Sequence, residues 1–295
     1  MSAAATTGSV RRLSVIGVGL IGGSLAQAVR QARLADEVVG WSRRAASRDL
    51  ALALGLVDRM AAEPEEAARG ADVVVLAVPL ARCGELAGRL ATTAAPQAIL
   101  TDVGSVKAGV VAALEAAWPD ASQVVGGHPI AGSEQSGTAA AAPGLFRGSH
   151  CILTPTARTH PRALQRVRAL WEGVGARVHE MAPAEHDALL ARLSHAPHVL
   201  AYALMHAVAT WPDLGGGLAY AGGGFRDTTR IAGSSADLWV EIVLDNAPAV
   251  LAALDEIGAA LTGFRDAVSR RDEPVLRRLM GAAATARRGL DEETS

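Results

Sequence analysis

Between Gly126 and Gly137 the chain reads GGHPIAGSEQSG, a single histidine set among glycines, two serines and a glutamate. A neutral imidazole, with an ordinary pKa of ~6.5, can take a proton near neutral pH. Upstream stands GVGLIG, Gly17 to Gly22, the G-x-G-x-x-G spacing of a dinucleotide-binding turn. It follows the aliphatic run Leu13–Ile16 and opens a helical stretch, the context that gives so short a motif its meaning. Gly17 would permit the tight turn, Gly19 the approach of backbone to a pyrophosphate, and Gly22 the close packing of helix on strand. Leu20 and Ile21 lie in the same turn, whose free N–H groups would face the phosphates. His128 to take a proton and a cofactor to take a hydride imply a dehydrogenase.

The next strand, Val38–Trp41, ends in Trp41-Ser42-Arg43-Arg44. A carboxylate there would bind the 2′-hydroxyl of an adenosine ribose; two guanidiniums instead suit a 2′-phosphate, which favours NADP over NAD. Arg43 and Arg44 also read as solvated residues at a helix start. Val78-Pro79 closes a third strand, and TDVGSVK, Thr101 to Lys107, closes a fourth with Ser105 and Lys107 at its exit. Ligands bind at such carboxyl ends in open α/β sheets. Ser105 also reads as an N-cap before a helix over Val106–Leu114, a role compatible with facing a ligand.

The elements that must position these residues follow from the apolar pattern. A length of 295 residues predicts two domains. With half the residues hydrophobic but 3% aromatic, the cores must be built from Ala, Leu and Val, which suits buried parallel strands and close-packed helices. Short apolar strands at 13–16, 38–41, 71–79, 99–103, 151–154 and 177–181 alternate with helices at 24–31, 49–54 and 161–173. That alternation predicts a Rossmann-like, doubly wound parallel sheet. After Pro183 it stops, and helices are expected over 184–210 (interrupted at Pro197), 235–270 and 273–289. The boundary is placed at 182, giving a dinucleotide-binding domain over 1–182 and a helical domain over 183–295.

A net charge of −2 gives no reason to expect nucleic acid or an anionic membrane as partner. Cys83 and Cys151 have no C-x-x-C spacing and read as free thiols in a reducing compartment. No uninterrupted apolar run of about 20 residues, the length of a membrane span, is evident, so a cytoplasmic protein is expected.

Taken in order, GVGLIGGSL, TDVGSVK, GGHPIAGSEQSG, LFRGSHCILTP, LSHAPH and FRDTTRIAGSSADLW resemble the prephenate and arogenate dehydrogenases of tyrosine biosynthesis, over residues 12 to 270. The resemblance implies a Rossmann-like domain followed by an all-α dimerisation domain, hence a homodimer. It implies oxidative decarboxylation of prephenate to 4-hydroxyphenylpyruvate, or of arogenate to tyrosine, with NADP or NAD as acceptor. His128 matches the catalytic histidine, and Ser105 a serine near the same hydroxyl. Arg230 matches an arginine that binds a substrate carboxylate, with Arg226 as its rival in the same motif. His198 matches a histidine of the substrate cleft, and Trp239 a position near it that suits packing equally well. Ser133 and Glu134 fall on the substrate side of the histidine loop. Arogenate carries an amine where prephenate carries a keto group, so Glu134 would favour the amine by charge pairing.

His195 and His198 share the spacing of a metal-binding pair, but no third ligand with matching spacing accompanies them, and no metal is expected. The hydroxyacid and imino-acid reductases would need a lysine on a helix of the second domain, and none follows Lys107. A non-catalytic NADP(H) sensor would leave His128, Ser105 and Arg230 unexplained. The length leaves little room for a regulatory domain, so inhibition by tyrosine would have to act at the active site or the dimer interface.

Overall fold

The structure, a computed structural model, describes residues 10–132, 135–211 and 215–293. The sheet half contains β1 (Val10–Ile16), α1 (Leu20–Ala32), β2 (Ala35–Trp41), α2 (Ala45–Ala53), β3 (Arg59–Met60), α3 (Pro64–Ala68), β4 (Val73–Leu76) and α4 (Leu80–Ala91). It continues with β5 (Ile99–Asp102), α5 (Ala108–Ala117), β6 (Val124–Ile130), β7 (His150–Thr154), α6 (Pro161–Gly173) and β8 (Arg177–Glu180). Helices then take over: α7 (Pro183–Leu190), α8 (Ala196–Ala209), α9 (Gly223–Thr229), α10 (Ala236–Asp245), α11 (Ala247–Arg270) and α12 (Glu273–Glu293).

The eight strands form one sheet in the order β3-β2-β1-β4-β5-β6-β7-β8. All ladders are parallel except β6–β7, which is antiparallel, so the sheet is mostly parallel. The strand order reverses between β1 and β4, and the glycine turn leaves β1 at that switch point, where such sheets open a crevice. Alternate side chains of β4 feed opposite faces: Val73 and Val75 join Leu25, Val29, Val167 and Trp171, whereas Val74 and Leu76 join Leu86, Leu90, Val110 and Leu114. Burial on both faces is why the central strands read as unbroken apolar runs.

Two features differ from the sequence reading. His128 lies within a strand, β6, because Val124-Val125-Gly126-Gly127 pairs with both β5 and β7. The interruption at Pro197 is not a break. Residues Ala191–His195 widen into a π-turn, with Ala196 N–H donating to Ala191 O five residues back. Pro197 lacks an N–H and its ring crowds the carbonyl four residues earlier, and the wider turn accommodates both.

The described residues group into two compact units, one running through Asn246 and one beginning at Ala247. The first therefore holds the sheet together with α7 to α10. The second holds α11 and α12, and α11 is long and apolar enough, by length and composition, to cross a membrane.

Candidate active site

The glycine turn is built as a dinucleotide cradle. Gly17 has φ +104°, and a Cβ there would meet Ala77 O at 2.1 Å; at Gly22 it would meet Gly17 O at 2.0 Å. Gly19 is different: a Cβ there would enter open space. Two glycines thus close the turn on the protein, while the third leaves room above it. Helix α1 starts at Leu20 with no side-chain cap and no acidic residue in its first turn, so the N–H groups of Leu20, Ile21 and Gly22 remain for an anion. Ser42 is buried and accepts a hydrogen bond from Val18 N at 3.0 Å. Its hydroxyl therefore shapes the turn. Arg43 and Arg44 are exposed, and Arg48, which the sequence reading passed over, donates to the carbonyls of Ser42 and Arg43 at 2.7 and 3.2 Å. Val78 stands against Gly17, and Pro79 is the N-cap residue of α4.

His128 lies on β6, next to the strand that ends in TDVGSVK. Its Nδ1 is 2.8 Å from His186 Nε2, and His186 Nδ1 is 2.7 Å from Asp187 Oδ1. The Asp187 carboxylate also accepts from Lys107 N and Ala108 N, each at 2.8 Å, and so caps α5. This corrects the reading of Ser105 as a helix N-cap. The helix begins at Ala108, and its first N–H groups are taken by a carboxylate 80 residues away in sequence. Asn246 Nδ2 holds Asp187 from behind, donating to its carbonyl at 2.8 Å and lying 3.1 Å from His195 Nδ1.

Beneath His128 lies a fully buried ion pair, Lys107 Nζ with Asp102 Oδ2. Lys107 also donates to Gly127 O at 2.8 Å, while Asp102 accepts from Gly104 N and Gly127 N. Burial, followed by the nearby His186, Lys107 and His195, holds the His128 pKa well below the ordinary imidazole value. Burial pushes Asp187 upward, but bonds from His186 and the backbone of Ala108 and Lys107 outweigh it, and its pKa is lowered. The result is a neutral His128 imidazole linked through His186 to an ionised carboxylate.

The helical half supplies a second cluster. His198 on α8 stacks on Trp239 of α10, with ring centroids 3.4 Å apart and planes 19° from parallel. His198 Nδ1 donates to Ser194 O at 2.9 Å, which leaves Nε2 for a ligand. Burial lowers the His198 pKa, and so does the charge of Arg230, which places that guanidinium within electrostatic reach of the ring. Tyr202 Oη donates to Ser234 O at 2.8 Å, tying α8 to the end of the short turn that carries Arg230. Arg226, on α9, donates to Ala221 O just ahead of that helix. His195 is buried, contacts the edge of Trp239 and lies against Asn246, a packing role. Burial lowers its pKa to about 4.

The structure thus brings His128 and the end of β5 together on one side, and His198, Trp239 and Arg230 on another. Ser105 lies partly buried in the β5–α5 connection. Ser133 and Glu134 lie outside the described residues. The loop beyond them is fastened to the cofactor turn: Thr138 Oγ1 donates to Val18 O at 2.7 Å, and Ala142 N to Ser24 Oγ at 2.9 Å. The sequence reading missed His186, Asp187, Asn246 and Thr138. The one available signal was the adjacent His186-Asp187 pair just inside the helical half.

Comparison with known proteins identifies the family. Residues 25–180 match the nucleotide-binding domain of prephenate dehydrogenase, and residues 182–282 match its dimerisation domain. The chain is 37% identical to a cyclohexadienyl dehydrogenase of Zymomonas mobilis over 89% of this chain and 90% of that one. It is similar to the crystal structure of prephenate dehydrogenase from A. aeolicus in complex with hydroxyphenyl propionate and NAD+, with TM-score 0.88 and 33% identity over 95% of this chain and 98% of that one. It is similar also to Synechocystis arogenate dehydrogenase, with TM-score 0.83 and 30% identity over 95% and 99% of the two chains. The chain belongs to the prephenate dehydrogenase family and is an NAD(P)-dependent prephenate-type dehydrogenase.

Proposed function

We propose that this enzyme oxidises prephenate to 4-hydroxyphenylpyruvate, with loss of carbon dioxide. The observation that carries the reading is His128: a buried, neutral imidazole with one nitrogen committed to His186 and the other left for a substrate hydroxyl. The Gly17–Gly22 turn would hold the pyrophosphate of a dinucleotide, whose oxidised nicotinamide would supply the hydride acceptor. His128 takes the hydroxyl proton as the carbinol carbon gives up hydride. Ser105, at the neighbouring strand end, hydrogen-bonds the same hydroxyl. Arg230 pairs with a substrate carboxylate, and His198 and Trp239 wall the ring. Loss of carbon dioxide and aromatisation then make the step effectively irreversible, so the protein's main task is positioning. We assign residues 1–182 to dinucleotide binding and 183–295 to substrate binding and dimerisation, a division supported by the two family matches. The test is the appearance of reduced nicotinamide by its near-ultraviolet absorbance, with prephenate or arogenate and with NAD or NADP. Absence of signal with both substrates would overturn the reading.

NADP is the favoured cofactor. Arg43 and Arg44 are exposed at the end of β2, and neither makes an ion pair among the described residues. Replacing both with alanine is expected to raise KM for NADP about tenfold or more while leaving that for NAD nearly unchanged, the effect of losing a charge-assisted phosphate contact. Equal changes for the two cofactors would sink the preference.

Arogenate is the alternative substrate, supported by the likeness to the Synechocystis enzyme and by the carboxylate of Glu134, six residues beyond His128 in the sequence. Glu134→Gln is expected to lower kcat/KM for arogenate several-fold relative to prephenate. An unchanged ratio would remove Glu134 from substrate choice.

A homodimer working in the cytoplasm completes the proposal. Support comes from the dimerisation-domain match and from exposed apolar side chains on the helices, among them Leu193, Leu244, Leu251, Leu261 and Val268. Asp255 and Glu256 near the middle of α11 favour a protein partner over lipid for that helix. Both cysteines are free and buried, which suits a reducing compartment.

A further inference from the structure

The chain of contacts behind His128 has a direction, and backbone amides set it. Lys107 N and Ala108 N can only donate, so the Asp187 carboxylate accepts from both. Its lowered pKa keeps it ionised, so it accepts from His186 Nδ1 as well. His186 therefore carries a proton on Nδ1 and, taken as neutral in the resting enzyme, has only a lone pair on Nε2. The nitrogen 2.8 Å from that lone pair is His128 Nδ1, which must then be the donor. One lone pair remains on the base, at His128 Nε2.

Resting on the reading of His128 as the base, we propose that His186 and Asp187 are positioning residues that hold His128 as its Nδ1–H tautomer. They thereby present the Nε2 lone pair to the substrate hydroxyl and receive the positive charge that follows. The proton balance is closed. The hydroxyl proton moves to His128 Nε2, the Nδ1 proton moves to His186 Nε2, and the cation comes to rest beside the Asp187 carboxylate. Without that transfer an imidazolium would form in a buried site that already contains Lys107, with His195 close by, and both disfavour it. Asn246 completes the support by holding the Asp187 carbonyl in place. Sequence spacing hides the device, since its members come from β6, the start of α7 and the start of α5.

The test combines nitrogen-15 NMR of the histidines in the full enzyme with turnover. Wild type should show His128 protonated on Nδ1 alone. His186→Ala should mix the tautomers and lower kcat about a hundredfold, with KM little changed. His186→Gln, whose side-chain oxygen can accept the same hydrogen bond, should restore the single tautomer and part of kcat. Asp187→Asn should mix the tautomers too, but it also disturbs the α5 cap, so the His186 variants carry the decision. His128 protonated on Nε2 in wild type, or His186→Ala with an unchanged tautomer and rate, would overturn the proposal while leaving His128 as base. Turnover undiminished in His128→Gln would overturn it on the separate ground that His128 is not the base.

Discussion

Replacing His128 with glutamine is expected to lower kcat by about 10³-fold, within the range a general base contributes, while the dissociation constant for NADP changes little. Glutamine fills the same space and can hydrogen-bond a hydroxyl, but it cannot take the proton. The cofactor turn is built from other residues: its closing contacts run from Gly17 to Ala77 and Trp41, and from Val18 to Ser42. Loss of cofactor binding together with rate would mean that the substitution has disturbed β6 and not the chemistry. With His128 as the proposed base, the same residue is expected to set the acid limit of activity. Burial and the neighbouring His186, Lys107 and His195 keep His128 neutral well below the ordinary imidazole range. The acid limb of kcat/KM should therefore lie below that of an exposed histidine. Stability follows the same sign. The unfolded chain binds these protons more readily than the folded protein does, so stability falls as pH drops from about 6.5 toward about 4, where His195 titrates. Urea unfolding at a series of pH values checks that slope, and a flat profile would contradict it.

The fold was legible wherever local pattern and tertiary demand agree. β1, β4 and β5 are apolar because both of their faces are covered, and helix α6 was read with its observed ends, Pro161 and Gly173. The cofactor turn was legible because its glycines answer to sterics within a few residues of sequence. β6 was not, since Gly126-Gly127-His128-Pro129 has weak strand propensity and is held by its antiparallel pairing with β7. His128 itself stood out by composition. The groups that make it work did not, because Asp187 acts through backbone atoms of Lys107 and Ala108, and those atoms leave no trace in residue type. Ser105 shows the converse: a hydroxyl before a helix looks like a cap, but a distant carboxylate already occupies the position.

Lys107 is the only lysine in the chain, and its side chain is completely buried. Lys107→Met, which keeps an unbranched side chain one atom shorter and removes its charge, is expected to destabilise the protein by about 3–5 kcal/mol, the cost of stranding one member of a buried ion pair. The Asp102 carboxylate would keep its bonds from Gly104 N and Gly127 N but lose its counter-charge, and Gly127 O would lose a donor. Against a total stability of about 5–15 kcal/mol, that is a large share of the margin. Removing both charges is a different matter. A buried pair replaced by apolar groups of similar size is often close to neutral, so Asp102→Leu added to Lys107→Met should recover much of the loss. Urea unfolding of the two single variants and the double gives the coupling directly, and a double variant no more stable than Lys107→Met would show that packing, and not charge, holds the site. The ion pair also reaches the chemistry. Lys107 is one of the charges that hold the His128 pKa down, so its removal beside an unpaired Asp102 carboxylate should move the acid limb of activity to higher pH. The lysine thus links the stability of the β5–β6 region to the proton affinity of His128.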